Sequence, residues 1–258
     1  MAEEVRVSGI ILGNKKASDI LIRDGIVVSI TKMGAGGVDA GSSKSWVAPL
    51  LFDIQVNGLR GVNLQTASTK VQDVLAITDM LAWNGIKHWV PTIITSPIEM
   101  MLHTCRTVAE AMKEPAGARA IPGVHLEGPF ISPEDGPRGA HPRQYVRKPD
   151  VAEFDRLYDA AEGKILYVTL APELDNVEAL IRHIISRGAK VAIGHHNATA
   201  DQIARAVDAG ACLSTHLGNG LASMINRHAN PLWPQLADDR LAAALIPDLE
   251  HLPAHPMK

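Results

Sequence analysis

Aromatic residues make up 4% of this 258-residue chain, cysteine occurs twice, and 25 Lys+Arg nearly balance 28 Asp+Glu for a formal net charge of −3. Each scarcity excludes something. With so few aromatic rings and no run of basic residues, the chain lacks both the stacking platforms and the electrostatic footprint of a nucleic-acid binder. Cys105 and Cys212 are too few for a disulfide framework; they read as small core residues in a reducing, cytoplasmic setting. No apolar stretch approaches the roughly 18 residues that a membrane-spanning helix needs. The acidic start Met1-Ala2-Glu3-Glu4 does not have the form of a secretory signal. What the chain does have is apolar material: 46% hydrophobic residues, ample for one sizeable core.

Residues 4–32 carry short strand patterns: Val5, Val7 and Ile10, then Ile20-Leu21-Ile22, then Ile26-Val27-Val28. Asp24-Gly25 between the last two is a hairpin signal. The glycine-rich stretch from Met33 to Val38 is read as a loop, because no helix follows it to make a phosphate cradle. From Trp46 the texture changes to apolar runs alternating with helical segments. Strands are expected near 47–56, 88–94, 120–126, 165–170, 190–194, 211–216 and 241–247, and helices near 69–83, 97–113, 151–161, 174–187 and 200–209. Boundary chemistry supports the helices: Ser96-Pro97 with Glu99, Asp150 with Glu153, and Thr199 with Gln202 at the starts, and Gly85, Gly163, Gly188 and Gly210 at the stops. The organisation is thus a small β-strand domain over 1–45 followed by an α/β domain over 46–258.

Strands buried on both faces and alternating with helices imply a parallel sheet covered by helices. The polar residues choose between a doubly wound sheet and a (β/α) barrel. Each candidate strand ends in a chemically useful residue: Gln55 and Asn57, Thr92 and Thr95, His125 and Glu127, Glu173, His195, His216, Asp248. Sites assembled from many strand ends belong to the barrel. A Rossmann sheet would need a glycine-rich turn that Gly58-Leu59-Arg60-Gly61 does not supply.

Glu127, His195 and His216 all end apolar strands, and two histidines with one glutamate form a known catalytic zinc set. Only one of His195 and His196 can be a metal ligand, since neighbours on a strand point to opposite sides. The Gly/Pro loop 131–142 follows the Glu127 strand and carries His141, which could reach a substrate carbonyl. Gly218-Asn219-Gly220 offers backbone N–H groups to a phosphate, and Arg227 a bidentate donor.

These motifs resemble the N-acetylglucosamine-6-phosphate deacetylases of the amidohydrolase superfamily. The resemblance runs through Phe52-Asp53-Ile54-Gln55-Val56-Asn57-Gly58, Pro91-Thr92-Ile93-Ile94-Thr95-Ser96, His125-Leu126-Glu127-Gly128-Pro129-Phe130, Gly139-Ala140-His141-Pro142, Gly194-His195 and Thr215-His216-Leu217-Gly218-Asn219-Gly220. It implies a (β/α) barrel, a homodimer if the barrel were complete, and deacetylation of N-acetylglucosamine 6-phosphate to glucosamine 6-phosphate and acetate. It further implies that Glu127, His195 and His216 hold one divalent metal, zinc by preference. His141 would then face the acetamide carbonyl, Asn219, Gly220 and Arg227 the phosphate, and His251 the sugar, with Ala140 a further substrate contact. A single metal is implied because Gln55-x-Asn57 stands where two-metal members have His-x-His.

Two departures accompany the resemblance. Seven strands are counted to Lys258, so the eighth strand of a closed barrel, with the aspartate general base that the family carries there, is expected to be missing from this sequence. An open barrel would expose two sheet edges and be poorly stable alone. The family's Asp-Gly-x-His motif appears as Asp248-Leu249-Glu250-His251, without the glycine that eases a tight turn, and Asp248 is a poor substitute for the base. A non-catalytic chain that still binds metal or sugar phosphate, or an amidohydrolase for another N-acyl substrate, are the competing expectations.

Overall fold

The computed structural model describes residues 3–34 and 36–253, which divide into two units, Met1–Leu51 and Phe52–Lys258. The first unit is a four-stranded sheet of β1 (Glu4–Ile11), β2 (Ala17–Arg23), β3 (Ile26–Lys32) and β4 (Ala40–Val47), in the order β3-β2-β1-β4. β1–β2 and β2–β3 pair antiparallel, and the second pair turns at Asp24 (φ 50°) and Gly25 (φ 77°), the left-handed residues that a tight hairpin requires. β4 runs parallel to β1. It was not anticipated, because Gly41-Ser42-Ser43-Lys44-Ser45 has no apolar period and forms a strand only through its neighbour.

The second unit runs β5 (Leu51–Val56), β6 (Gly58–Leu59), β7 (Val62–Asn63), α1 (Val71–Trp83), β8 (Ile86–Ile94), α2 (Ile98–Ala111), α3 (Pro115–Ala120), β9 (Val124–Glu127), α4 (Val151–Ala160), β10 (Ile165–Leu170), α5 (Val177–Ser186), β11 (Lys190–Ile193), α6 (Ala200–Asp208), β12 (Leu213–Ser214), α7 (Leu232–Ala237) and β13 (Ala242–Ala243). Seven of these strands make one sheet in the order β13-β12-β11-β10-β9-β8-β5, parallel from β8 through β13. Strand order following chain order, with helices between strands, is the (β/α) barrel arrangement, and among the described residues it contains seven strands rather than eight. The end strands β5 and β13 are neighbours of one cavity of about 410 Å³, lined by Asp53–Val56 and by Ala244–Pro247. Apolar side chains stand exposed at the two ends of the sheet, Phe52 on β5 (50%) and Leu245 just after β13 (41%), as an unclosed sheet requires.

The core lies between sheet and helices. Val124, Leu126, Val168, Leu170, Val191 and Ile193 from the strands pack with Phe154, Leu157, Leu180, Ile184 and Ile203 from the helices. Trp89 is fully buried, and its Nε1–H donates to Thr78 Oγ1 at 3.1 Å, which removes the cost of an unpaired indole. Cys105 is a core residue, its thiol pushed up to about 12 by burial, whereas Cys212 is half-buried at the entry to β12 rather than in an element interior. No helix among the described residues is long and apolar enough to cross a membrane.

Most helix boundaries follow the local chemistry. Asp150 accepts from the Glu153 amide, Thr199 and Gln202 exchange reciprocal caps, and all four stop glycines adopt positive φ. α2 is the exception. It starts at Ile98 with Pro97 at the cap, and the Ser96 hydroxyl is buried without a partner instead of capping. The six-residue α3 and α7 were not anticipated, being too short to display a helical period. β12 and β13 are only two residues long against the six and seven expected, because apolar runs signal burial whereas a strand also needs a paired neighbour.

Replacing Thr199 by alanine removes the acceptor for the Gln202 amide at 3.3 Å. It is expected to lower unfolding stability by about 1 kcal/mol, read as a shift of the urea midpoint with an unchanged slope.

Candidate metal centre

Glu127 is the last residue of β9 and is 3% exposed. Facing it are His195, two residues past the end of β11, and His216, two past β12. His216 Nε2 lies 2.9 Å and His195 Nε2 3.3 Å from Glu127 Oε1, and the two imidazole nitrogens are 3.0 Å apart. His141, from the loop after β9, brings its Nε2 to 3.2 Å from His195 Nε2 and 3.9 Å from Glu127 Oε2. Glu127, His141 and His195 form a group whose ligand atoms could hold a metal ion, and His216 adjoins it.

Both strand-end histidines leave the strand in the left-handed region, His195 at φ 52° and His216 at φ 32°. That conformation costs a non-glycine residue roughly 1–2 kcal/mol. It is held by backbone bonds from the Ser132 amide to the His195 carbonyl (3.0 Å) and from the Asn219 amide to the His216 carbonyl (2.9 Å). His196 follows His195 but is buried elsewhere, its Nδ1 accepting from the Ala198 amide, so it is a satisfied core histidine. Small residues make room for the His195 ring: a Cβ on Gly220, at φ 61°, would lie 3.0 Å from its Nδ1.

Tautomers follow from the partners. The Pro137 carbonyl can only accept, so His195 Nδ1 carries the proton (2.9 Å) and its Nε2 lone pair points at Glu127. Thr95 Oγ1 is 2.9 Å from His141 Nδ1 but 3.4 Å from the Glu127 carbonyl. A hydroxyl donating to the nearer nitrogen leaves His141 with an N–H at Nε2, facing the cleft. Burial alone would raise the Glu127 carboxyl, but the bond from His216 and the nearby imidazoles hold it well below the usual carboxylate range. Gln55 adds an amide donor at 2.8 Å.

An anionic carboxylate, one outward lone pair and further imidazole nitrogens at 2.9–3.3 Å fit a divalent cation. Tetrahedral ligands bonded at about 2.0–2.1 Å stand about 3.3 Å apart. The donor set therefore matches the metal by spacing and by charge. His216 Nδ1 is buried without a hydrogen-bond partner.

Beneath this cluster lies a buried layer that the sequence alone did not assign. His125 sits between Thr92 Oγ1 (3.1 Å) and Thr169 Oγ1 (2.8 Å), and stacks on Tyr167 at 3.8 Å between ring centroids. Thr169 Oγ1 continues to Thr215 Oγ1 at 2.7 Å, next to His216. Tyr167 donates to the Ile54 carbonyl at 2.8 Å. The signal was present as threonines at strand ends, but their pairing across four strands depends on register.

A cleft of about 380 Å³ opens onto the centre, lined by Gln55, Asn57, Glu127, Ala140, His141, His195, His216, Asn219, Gly220 and His251 with Ile94 and Ile246. Every residue expected to hold the metal or contact substrate is on this wall except Arg227, which is exposed and accepts through its carbonyl from Trp233 Nε1. Asp248 is spent: its carboxylate accepts the Glu250 and His251 amides and meets His251 Nδ1, which hold it down at about 2. Leu249 takes φ 68°, so the turn keeps the left-handed shape without the glycine.

The Amidohydrolase family profile matches residues 46–237. Among curated proteins, the chain is 29% identical over 235 residues to an N-acetylgalactosamine-6-phosphate deacetylase of Escherichia coli O157:H7, covering 91% of this chain and 60% of that protein. It is 33% identical over 228 residues to an N-acetylglucosamine-6-phosphate deacetylase of Danio rerio, covering 84% and 55%. Among solved structures, a substituted N-acetyl-D-glucosamine-6-phosphate deacetylase of Mycobacterium smegmatis, in complex with N-acetyl-D-glucosamine-6-phosphate, superposes with a TM-score of 0.83 at 27% identity, over 99% of this chain and 66% of that one. The chain thus spans between about half and two thirds of the length of these relatives.

Burial pushes His125 down to about 3 and His141 and His196 to about 4, against an ordinary value of 6.5. Between those limits the unfolded chain binds more protons than the folded one, so stability should fall as pH drops from 6.5 towards 4. Each histidine contributes a slope of up to about 1.4 kcal/mol per pH unit. Glu127, ionised in the folded state, adds a further loss only below its ordinary 4.5. Urea midpoints in the presence of a chelator measure this; a flat profile over that range would show that these imidazoles are not buried neutral.

Proposed function

Because the chain belongs to the amidohydrolase family, we propose that its centre hydrolyses the N-acetyl group of N-acetylglucosamine 6-phosphate, giving glucosamine 6-phosphate and acetate in amino-sugar catabolism. The observation that carries this is the convergence of Glu127, His195 and His216 from three strand ends onto one cleft with His141. These three would hold one divalent ion, zinc by its preference for imidazole and carboxylate, which supplies Lewis acidity and makes water a better nucleophile at neutral pH. A single ion is supported by the amides Gln55 and Asn57 at the end of β5, where a second ion would call for imidazoles; the Gln55 N–H instead donates to Glu127.

His141, uncharged at neutral pH and carrying its proton on Nε2, is placed to donate to the acetamide carbonyl oxygen as negative charge develops there. Asn219 and Gly220 form the turn after His216 on the cleft wall; the Asn219 amide is held by the His216 carbonyl, so a sugar 6-phosphate would meet the Gly220 amide there. His251, fixed by Asp248, faces the same space as a contact for sugar hydroxyls. Arg227, exposed and off the wall, is a phosphate ligand for a neighbouring copy in a homodimer. The setting is cytoplasmic.

One observation favours a second reading, binding without turnover. Among the described residues the cleft wall has a single carboxylate, Glu127, and its Oε1 already meets Gln55, His195 and His216, so it is not free to shuttle a proton. Acetate release measured with added Zn²⁺ separates the two. The proposal expects turnover of N-acetylglucosamine 6-phosphate above the metal blank, lost on chelation and lowered at least ~10³-fold by His195→Ala. N-acetylgalactosamine 6-phosphate in parallel tests the choice of hexosamine. Binding with no turnover would establish the second reading. His141→Gln should lower kcat by roughly 10²–10³-fold with metal stoichiometry unchanged; loss of the metal would make His141 a ligand instead.

A further inference from the structure

Glu173 stands three residues past the end of β10 and has no part in the proposed chemistry. Its Oε1 accepts the Asn197 backbone amide at 2.8 Å, two residues after His195. Burial pushes its carboxyl above the ordinary glutamate range, against the Asn197 amide, its own amide and the Ser132 hydroxyl. Ser132 also gives its backbone amide to the His195 carbonyl at 3.0 Å, and the Asn197 side chain donates to Glu134 at 3.2 Å in the same loop. The turns after β10 and β11 therefore meet at the Glu173 carboxylate, and the turn after β9 joins them through Ser132 and Glu134. Two residues before Asn197 stands His195, held in the left-handed region at φ 52° with its ring tied to the Pro137 carbonyl of the turn after β9.

We propose that Glu173 is a positioning residue for the metal centre: by gripping the Asn197 amide it holds the His195 turn so that Nε2 faces Glu127. This rests on the reading of Glu127, His195 and His216 as metal ligands. The grip works through an acceptor of the right length, not through charge. Glutamine keeps the acceptor at the same reach and loses the charge; aspartate keeps the charge and is one methylene too short to reach Asn197.

Co²⁺ titration of the metal-stripped full chain tests this, reading both affinity and the visible absorption band, which reports the geometry of the ligands. Glu173→Gln is expected to keep affinity within about threefold and to keep the wild-type band. Glu173→Asp and Glu173→Ala are expected to weaken binding by about 10–100-fold and to alter the band. The proposal is overturned if Glu173→Asp binds like wild type, or if Glu173→Gln weakens binding as much as Glu173→Asp does. Should Glu173→Ala fail to fold, the aspartate and glutamine pair still decides. A wild-type chain that takes up no Co²⁺ would instead remove the metal-centre reading itself.

Discussion

An ionised carboxylate buried to 3% exposure stands only where its surroundings supply positive charge or hydrogen-bond donors, and Glu127 is such a group. Burial acts to neutralise it, and three imidazoles with one amide outweigh that tendency. The demand shapes the strand ends around it. His195 and His216 must turn back from β11 and β12 to reach the end of β9, and each does so by entering the left-handed region. The chain accepts strain at two positions because the alternative is a buried charge without partners, a larger cost.

The barrel makes that arrangement possible. Parallel strands in chain order place successive C-terminal ends side by side, so residues distant in sequence come within hydrogen-bond reach of one carboxylate. The interior below is filled by His125, Tyr167 and the threonines of three strands, a polar layer with its members paired to one another. Such a layer specifies register, since a shift by one residue would leave each hydroxyl facing apolar side chains. The loops then fix tautomers: the Pro137 carbonyl and the Thr95 hydroxyl decide which nitrogen of His195 and of His141 faces the cleft.

Features set by neighbours in sequence were legible in advance. The Thr199 and Asp150 caps, the Asp24-Gly25 hairpin and the helix-ending glycines arise from contacts within four residues, and each has the expected geometry. The members of the Glu127 cluster were also legible, because a strand-end histidine or glutamate in an otherwise apolar run has few structural uses. Less legible was anything defined by a distant partner. Ser96 has the makings of a cap, yet is buried without one; Arg227 follows the His216 loop, yet leaves the cleft; β4 has no strand pattern, yet pairs with β1.

The sequence by itself determined which residues could bind a metal and that they would sit at strand ends, since apolar periodicity and side-chain chemistry are local properties. The tertiary structure alone decided how these groups are used. It made His196 a core residue and His195 a member of the centre, tied the Asp248 carboxylate to His251, and linked the turns after β10 and β11 through Glu173. The reason is physical. Protonation state, tautomer and hydrogen-bond reach depend on which groups share a small volume, and residues 46 to 89 positions apart share one only after the sheet has formed.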